Sequence, residues 1–256
     1  MDDDHPYHRS PVLTNDGAEA QIIAACGQAC LGRLLSQNSA AVHVSTIQIL
    51  GFKSFADRVE LPLEPGVTGI VGPGGCGKRA LLEAVRWALG ESSPAALRVE
   101  TMRDLIFHGT FERRPLRQAT VSLVFAGCPP DWALPGDELR VTRQINKTGE
   151  ESHHGQNGDL EASAVSALLA GAEMRPPALV REISELPRRA EPILLADLRG
   201  GEPGHPAGVL EKIRRRAQVL MVTHEKSHMQ LCDCMWGVTM EELGMSKMVG
   251  MQLTNK

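Results

Sequence analysis

Between the apolar run Val67-Thr68-Gly69-Ile70-Val71 and a stretch of helical period lies Gly72-Pro73-Gly74-Gly75-Cys76-Gly77-Lys78. Read as G-x-x-x-x-G-K, this segment has glycines that let backbone N–H groups turn inward around phosphate oxygens, and a lysine that brings a charge to them. A helix is predicted from Arg79 to Leu89, with Leu81, Leu82, Val85 and Leu89 on one face and Gly90 at its end, so the loop sits at a helix N-terminus. Strand, glycine loop and helix in that order predict an α/β P-loop nucleotide-binding domain; a purely structural glycine turn is the alternative. One position departs from the pattern. The Ser or Thr hydroxyl that ordinarily coordinates Mg²⁺ after the lysine is replaced by Arg79, which leaves Mg²⁺ doubtful. A guanidinium there either pairs with phosphate, giving Mg²⁺-independent binding, or points to solvent from the first helical turn.

The chain has 256 residues and is 42% hydrophobic, enough for one large domain or two small ones with a real core. Its 27 Lys+Arg against 31 Asp+Glu give a net charge of -4, so no global positive field draws it to nucleic acid and any DNA contact must be local. The six cysteines (Cys26, Cys30, Cys76, Cys128, Cys232, Cys234) include one inside the glycine loop, where a disulfide would distort the site. They read as reduced thiols of a cytosolic protein. Met-Asp-Asp-Asp at the start lacks the positive region of a secretory signal, and no window approaches the ~18 apolar residues of a membrane span. The expectation is a soluble, cytoplasmic protein without membrane contact.

Four segments follow from the patterning. Residues 1–40 form an N-terminal extension, polar at first, with one amphipathic helix over residues 18–36 that carries Ile22, Cys26, Ala29, Cys30 and Leu34. Residues 41–170 form a lobe around the glycine loop, with strand-like runs at residues 43–49, 67–71, 120–125 and 138–143; the last two read as exposed-sheet strands and Gly149 to Gly158 as a polar loop. Residues 171–191 contain Pro176, Pro177 and Pro187 and form a proline-rich link. Residues 192–256 contain two short apolar runs, Ile193 to Ala196 and Val219 to Val222, each the length of a buried parallel strand. A basic helical segment from Val209 to Arg216 lies between them, completing a βαβ unit.

With the loop placed, its flanks become recognisable: Gly51-Phe52-Lys53-Ser54-Phe55 before it, then Glu83-Ala84-Val85-Arg86-Trp87-Ala88-Leu89-Gly90-Glu91-Ser92-Ser93, Leu97-Arg98 and Asp104-Leu105-Ile106-Phe107. Over residues 44–125 the chain resembles the N-terminal head lobe of bacterial SMC chromosome-segregation ATPases. Val222-Thr223-His224-Glu225-Lys226, Cys232-Asp233, Gly237 to Met240 and Ser246 to Val249 resemble the C-terminal lobe of the same head, from about Pro192 to Leu253. The resemblance implies an ABC-type ATPase head in which two lobes form one domain and ATP is sandwiched between two heads. The coiled coil and hinge that separate the lobes in the family are replaced here by the proline-rich link.

Carried over residue by residue, the resemblance implies that Gly72, Pro73, Gly74, Gly75, Cys76, Gly77 and Lys78 hold ATP, with Arg79 beside them. It puts Arg98 in an arginine loop near the nucleotide and makes His224 a switch histidine facing the γ-phosphate. The family's apolar strand ending in an Asp-Glu pair reads Leu194-Leu195-Ala196-Asp197-Leu198. Either Ala196 stands for the metal-binding Asp and Asp197 for the catalytic Glu, or Asp197 is the metal Asp and Leu198 the lost Glu. No Gln stands near Leu179 to Ser184, where the family coordinates Mg²⁺. No Ser-Gly-Gly signature precedes Pro192, and Gly200-Gly201-Glu202 lies on the wrong side of the strand. Pro94-Ala95-Ala96 lacks a basic residue the family tends to carry, which leaves DNA contact weakly supported. The partners implied are an SMC-type head, as homodimer or heterodimer, and a kleisin.

The residues also allow local readings that compete with this one. His224-Glu225-Lys226-Ser227-His228 fits H-E-x-x-H, with Cys232 and Cys234 beyond it as further metal ligands, but a zinc site of that type needs both histidines on one helix face while His224 ends a strand. Otherwise His228, Cys232 and Cys234 are ordinary helix residues. Cys26 and Cys30 share a packing face or a metal. Arg214-Arg215-Arg216 is a solvated helix end or a phosphate or DNA patch. His153-His154 is an inert loop pair, and Trp87 and Trp236 belong to the core. The leading expectation is an ATP-binding SMC-like head that hydrolyses slowly or not at all. The alternatives are a non-catalytic module engaging an SMC head or kleisin, and a gene remnant that folds poorly.

Overall fold

Apolar side chains at alternate positions make strands of His43–Leu50 (β1) and Leu139–Asn146 (β5), whereas Val67–Val71 (β3), Leu194–Asp197 (β9) and Val219–Val222 (β10) are buried on both faces. The computed structural model of the chain describes residues 43–128, 138–155, 158–160, 179–180, 193–198, 213 and 217–251. The other strands are Val59–Pro62 (β2), Gln118–Ala126 (β4), Glu151–Gly155 (β6), Gly158–Leu160 (β7), Leu179–Val180 (β8), Cys234–Glu242 (β11) and Met245–Met251 (β12). Helix α1 spans Lys78–Ala88 and α2 the single turn Lys226–Met229.

These strands form two sheets among the described residues. The first has the order β2-β1-β4-β5-β6-β7 and is antiparallel throughout. The second has the order β12-β11-β3-β10-β9-β8, parallel from β11 to β8 with β12 antiparallel at one edge. Between them runs α1: Leu81, Leu82, Val85 and Trp87 share one core cluster with Val121, Leu123 and Phe125 of β4 and with Leu195 and Leu220 of the second sheet. Each such side chain contributes about 1.5–3 kcal/mol by leaving water. A helix between two sheets has no broad solvated face. Lys78 and Glu83 are therefore buried along with the apolar positions, and the one-sided pattern predicted for this helix widens to nearly its whole circumference.

Polar contacts close the sandwich at both ends. Arg143 of β5 donates to the carbonyls of Trp87 (2.7 Å) and Glu91 (3.0 Å) and lies over the Trp87 ring at 5.1 Å from its centroid, so a cation faces the C-terminal end of α1. Gln218, just before β10, accepts from the Val44 amide (3.0 Å) and donates to the carbonyls of Val44 (2.8 Å) and Glu64 (3.1 Å). That pairing holds β1 against the second sheet where the β1–β4 register shifts between Val44 and Thr46.

Several sequence expectations change. The polar loop from Gly149 to Gly158 is instead a hairpin. Asn146 Oδ1 accepts from the amides of Thr148 and Glu150, Gly149 turns at φ 90°, and β6 then pairs back on β5, where Arg143 grips Glu151. A backbone ladder at a sheet edge needs no apolar side chains, which is why the pattern hid it. His153 and His154 consequently lie in β6. Strand β4, read as exposed, is buried from Val121 to Phe125 because β1 and β5 flank it and α1 covers one face. Cys232 lies beyond the end of α2 and Cys234 opens β11, so neither is helical. The basic helix is represented by helical, buried Ile213. The N-terminal helix, Arg181 to Ser184, Gly200 to Glu202, Arg214 to Arg216, Cys26, Cys30 and most of the proline-rich link lie outside the described residues.

Candidate functional site

Parallel strands β9, β10 and β3 are neighbours in register, with Asp197 opposite Val222 and Val222 opposite Ile70. Their C-terminal ends therefore meet at one edge, where open α/β sheets place ligands. From this edge β3 runs directly into residues 72–77, and the loop enters α1 at Lys78. Gly75 (φ 77°) and Gly77 (φ 95°) take left-handed conformations that side chains resist. The rim at Pro73, Gly74 and Gly75 is exposed, and a Cβ built on Gly74 or Gly75 meets nothing within 4 Å, so the loop opens onto free space above the helix N-terminus.

Below the rim the loop is packed hard. A Cβ on Gly77 would lie 2.1 Å from Ser246 Oγ and 2.7 Å from Ser54 Oγ. Ser246, at the start of β12, donates its hydroxyl to the Cys76 carbonyl (2.8 Å) and accepts from Ser54 (2.7 Å). The C-terminal hairpin thus holds the loop's underside from 170 residues away. Lys78 is 2% exposed, and its ammonium donates to the carbonyls of Gly72 (2.8 Å) and Pro73 (2.5 Å) with the Cys76 thiol nearby. The lysine is therefore drawn into the loop's own carbonyls, from which a phosphate would recruit it.

Arg79 neither points to solvent alone nor stands unpaired beside the loop. Its Nε (2.7 Å) and Nη2 (2.5 Å) both donate to Asp197 Oδ2, across 118 residues of sequence. The carboxylate is 2% exposed and the guanidinium 30%. Strand alternation gives the reason: Leu195 and Asp197 face α1, whereas Leu194, Ala196 and Leu198 enter a separate cluster on the other side of the sheet. Ala196 cannot substitute for Asp197 on the helix side.

Mg²⁺ does not fit this arrangement. The residue that would present a hydroxyl to it presents a cation, and the strand-end carboxylate is already engaged by that cation. Nor do three His, Cys, Asp or Glu side chains gather into a metal-binding group anywhere among the described residues. The H-E-x-x-H pattern is divided between two elements. His224 is exposed just beyond β10, while His228 is buried on α2 with Nδ1 at 3.0 Å from Thr223 Oγ1. Burial pushes the Cys232 thiol up to about 12, as suits a packed side chain.

The remaining expected residues are placed as follows. Thr223 donates its amide to the Ile70 carbonyl (3.3 Å), so the register sets His224 level with Gly72, where the loop begins. Arg98, in a left-handed turn at φ 54°, has its Nε 3.9 Å from Glu83 on the flank of α1. Sequence reasoning missed the residue that organises this flank. Lys53 donates to Glu83 Oε2 and to the Leu97 carbonyl, both at 2.6 Å, fastening the Gly51-Phe52-Lys53 turn and the Arg98 turn to the helix. Burial pushes the Glu83 carboxyl above its ordinary value, with the Lys53 contact opposing it. A glutamate inside the apolar stretch from Ala80 to Val85 was the available signal for a buried partner.

The family model for the RecF/RecN/SMC N terminal domain matches residues 43–182. The chromosome partition protein Smc of Xanthomonas oryzae pv. oryzae is 37% identical over 140 residues, which cover 53% of this chain and 12% of that protein. The chain spans about a tenth of the length of the curated relatives it matches. Among solved structures, an SmcHead bound to the C-winged helix domain of ScpA superposes with a TM-score of 0.72 at 19% identity, over 82% of this chain and 98% of that one. The SMC head domain from Thermotoga maritima gives 0.60 at 20% identity, over 82% and 100%. At such identities these two likenesses speak for the fold: a P-loop α/β sandwich of the SMC-head type.

Proposed function

The chain belongs to the RecF/RecN/SMC N terminal domain family, and on that premise we propose that it is an ATP-binding SMC-type head, related to chromosome segregation, in which hydrolysis is weak or absent. One observation carries the reading: an exposed glycine loop between β3 and the N-terminus of α1, with Lys78 inside it. The amides of the loop and of the first turn of α1 would hold the phosphates, Lys78 would move from the carbonyls of Gly72 and Pro73 to the β/γ-phosphates, and His224 would face the γ-phosphate. Asp197 takes the place of the family's metal-binding Asp, and Leu198 that of its catalytic Glu. Phosphoryl transfer relies on positioned charge, so a site with Arg79 for the hydroxyl and Leu198 for the carboxylate loses several orders of magnitude in rate.

The domain reading goes with this function. Residues 41–170 and 192–256 are the two lobes of one head, 171–191 the link in place of a coiled coil, and 1–40 an extension. The partners are a second SMC-type head and a kleisin, in the cytoplasm; the solved head that carries a ScpA domain supports the second of these. DNA contact has the least support.

ATP binding by calorimetry and phosphate release, each for wild type and Lys78→Ala, test the proposal. Binding that Lys78→Ala weakens at least about tenfold, with negligible release, is expected. Turnover at ordinary ABC rates that survives Lys78→Ala overturns it.

A further inference from the structure

We propose that the Arg79–Asp197 pair is a built-in substitute for the divalent cation, so that this head binds nucleoside triphosphate as the metal-free anion. The inference rests on the nucleotide-binding reading and specifies the form of ligand that the site accepts.

The geometry of the fork carries it. Both donors that Asp197 engages, Nε and Nη2, lie on one edge of the guanidinium. Among the described residues no hydrogen bond engages Nη1, which carries two N–H groups, and the Arg79 side chain as a whole is 30% exposed. Arg79 immediately follows Lys78 in the first turn of α1, and Asp197 ends a strand whose neighbour, β10, abuts the strand that emits the loop. On the proposal the free edge serves the mouth of the phosphate loop while the other edge is held on the sheet. A planar cation with five N–H groups can bridge a carboxylate and a phosphate at once, which is the bridge a divalent ion would otherwise make.

Charge and burial exclude the ion itself. To reach Asp197, whose side chain is 2% exposed, a hydrated dication would have to displace a charge-assisted pair and then lie against the guanidinium it displaced. Magnesium also dehydrates reluctantly and keeps several oxygen ligands, and here the hydroxyl is absent and the carboxylate occupied. With Lys78 buried in the loop and Arg79 one residue on, two cations fixed to α1 face the triphosphate before any metal arrives.

The experiment measures ATP affinity by calorimetry in EDTA and in millimolar Mg²⁺ for wild type, Arg79→Ser and Asp197→Asn. Wild type is expected to bind in EDTA as tightly as in Mg²⁺ or more so. Asp197→Asn, which keeps the guanidinium and removes the carboxylate a dication would need, should show no gain from Mg²⁺ whatever its own affinity in EDTA. Arg79→Ser restores the hydroxyl and frees the carboxylate, and should bind at least about tenfold more tightly with Mg²⁺ than without. Its thermal midpoint, measured without nucleotide, should rise on adding Mg²⁺ alone, whereas that of wild type should not. Wild-type binding that requires Mg²⁺ overturns the proposal and leaves the nucleotide-binding reading intact. So does an Arg79→Ser protein that is folded and keeps the wild-type ratio. Absence of ATP binding by folded wild type in both conditions overturns the nucleotide-binding reading and this proposal with it.

Discussion

Breaking the Arg79–Asp197 pair from its two sides should give unequal losses of stability, because the partners differ in exposure. Asp197 is 2% exposed and Arg79 30%. Arg79→Met removes the guanidinium that donates twice to a carboxylate 2% exposed, and breaking such a pair from the cation's side destabilises by about 3–5 kcal/mol. Asp197→Asn leaves a guanidinium that water can reach and an amide oxygen that still accepts one of its N–H groups, so the loss is about 1 kcal/mol, the net worth of one hydrogen bond. The difference, about 2–4 kcal/mol, is a large share of the roughly 5–15 kcal/mol that separates folded from unfolded domains. Urea denaturation followed by tryptophan fluorescence, to which Trp87, fully buried on α1, contributes, supplies the measurement, with an unchanged slope certifying that the midpoints compare stabilities. The double variant Arg79→Met/Asp197→Asn completes a cycle and should be more stable than Arg79→Met alone, since the buried carboxylate goes together with the guanidinium. Equal losses from the two single variants, or an Arg79→Met protein within about 0.5 kcal/mol of wild type, would refute the reasoning.

Three further outcomes follow from single environments. Gly77→Ala should cost about 1–3 kcal/mol, since a Cβ there meets Ser246 Oγ at 2.1 Å at φ 95°, while Gly74→Ala, open to solvent, leaves the thermal midpoint unchanged; equal shifts would contradict this packing. Glu83 has its pKa raised above 4.5 by burial, so the native state keeps that proton to higher pH than the unfolded chain does. Stability should therefore fall as pH rises from about 4.5 through the folded value, and Glu83→Gln should flatten that segment of a urea midpoint against pH; an identical slope in the variant argues against it. Cys232, raised to about 12, should resist iodoacetamide at mildly alkaline pH until the protein unfolds, and native labelling as fast as that of half-exposed Cys234, read by peptide mass mapping, would sink the assignment.

What the sequence displayed and what it hid differ in kind. The glycine loop, the strand before it and the helix after it are local, each set by residues within a few positions, and they stand where the pattern put them. The runs at Leu194 and Val219 were legible because a strand buried on both faces is apolar at every position. Edge hairpin β6–β7 was not, because its pairing resides in backbone groups that carry no side-chain signature. The underside of the loop was hidden for another reason: Ser246 and Ser54 meet across 192 residues, and no spacing rule relates them. Arg79 is the instructive case. Its two considered fates, phosphate or solvent, took account only of its own segment. An acid left single at the end of β9 and a base where a hydroxyl belonged are complementary changes at one site, and their opposite charges were the available clue to the pair.

Seen as one set, these changes separate binding from turnover. In a site that uses a metal, the strand-end carboxylate meets its cation only when nucleotide brings it, so the local charge changes with each cycle. Here the cation is part of the chain and is already seated on Asp197, so the charge at this point is the same before and after nucleotide enters. The groups that the proposed function assigns to phosphate, the loop amides and Lys78, do not depend on that cycle and are present. The groups that would cleave it do depend on it: without a dication to neutralise charge developing on the γ-phosphate, and with buried Leu198 where a carboxylate would orient water, the transition state gains little that the ground state lacks. On the proposed function, nucleotide then leaves such a head by dissociation and not by hydrolysis, and occupancy follows nucleotide concentration. Heads that separate when ATP is cleaved would, with this chain as one member of the pair, stay joined for as long as the second head's own site permits.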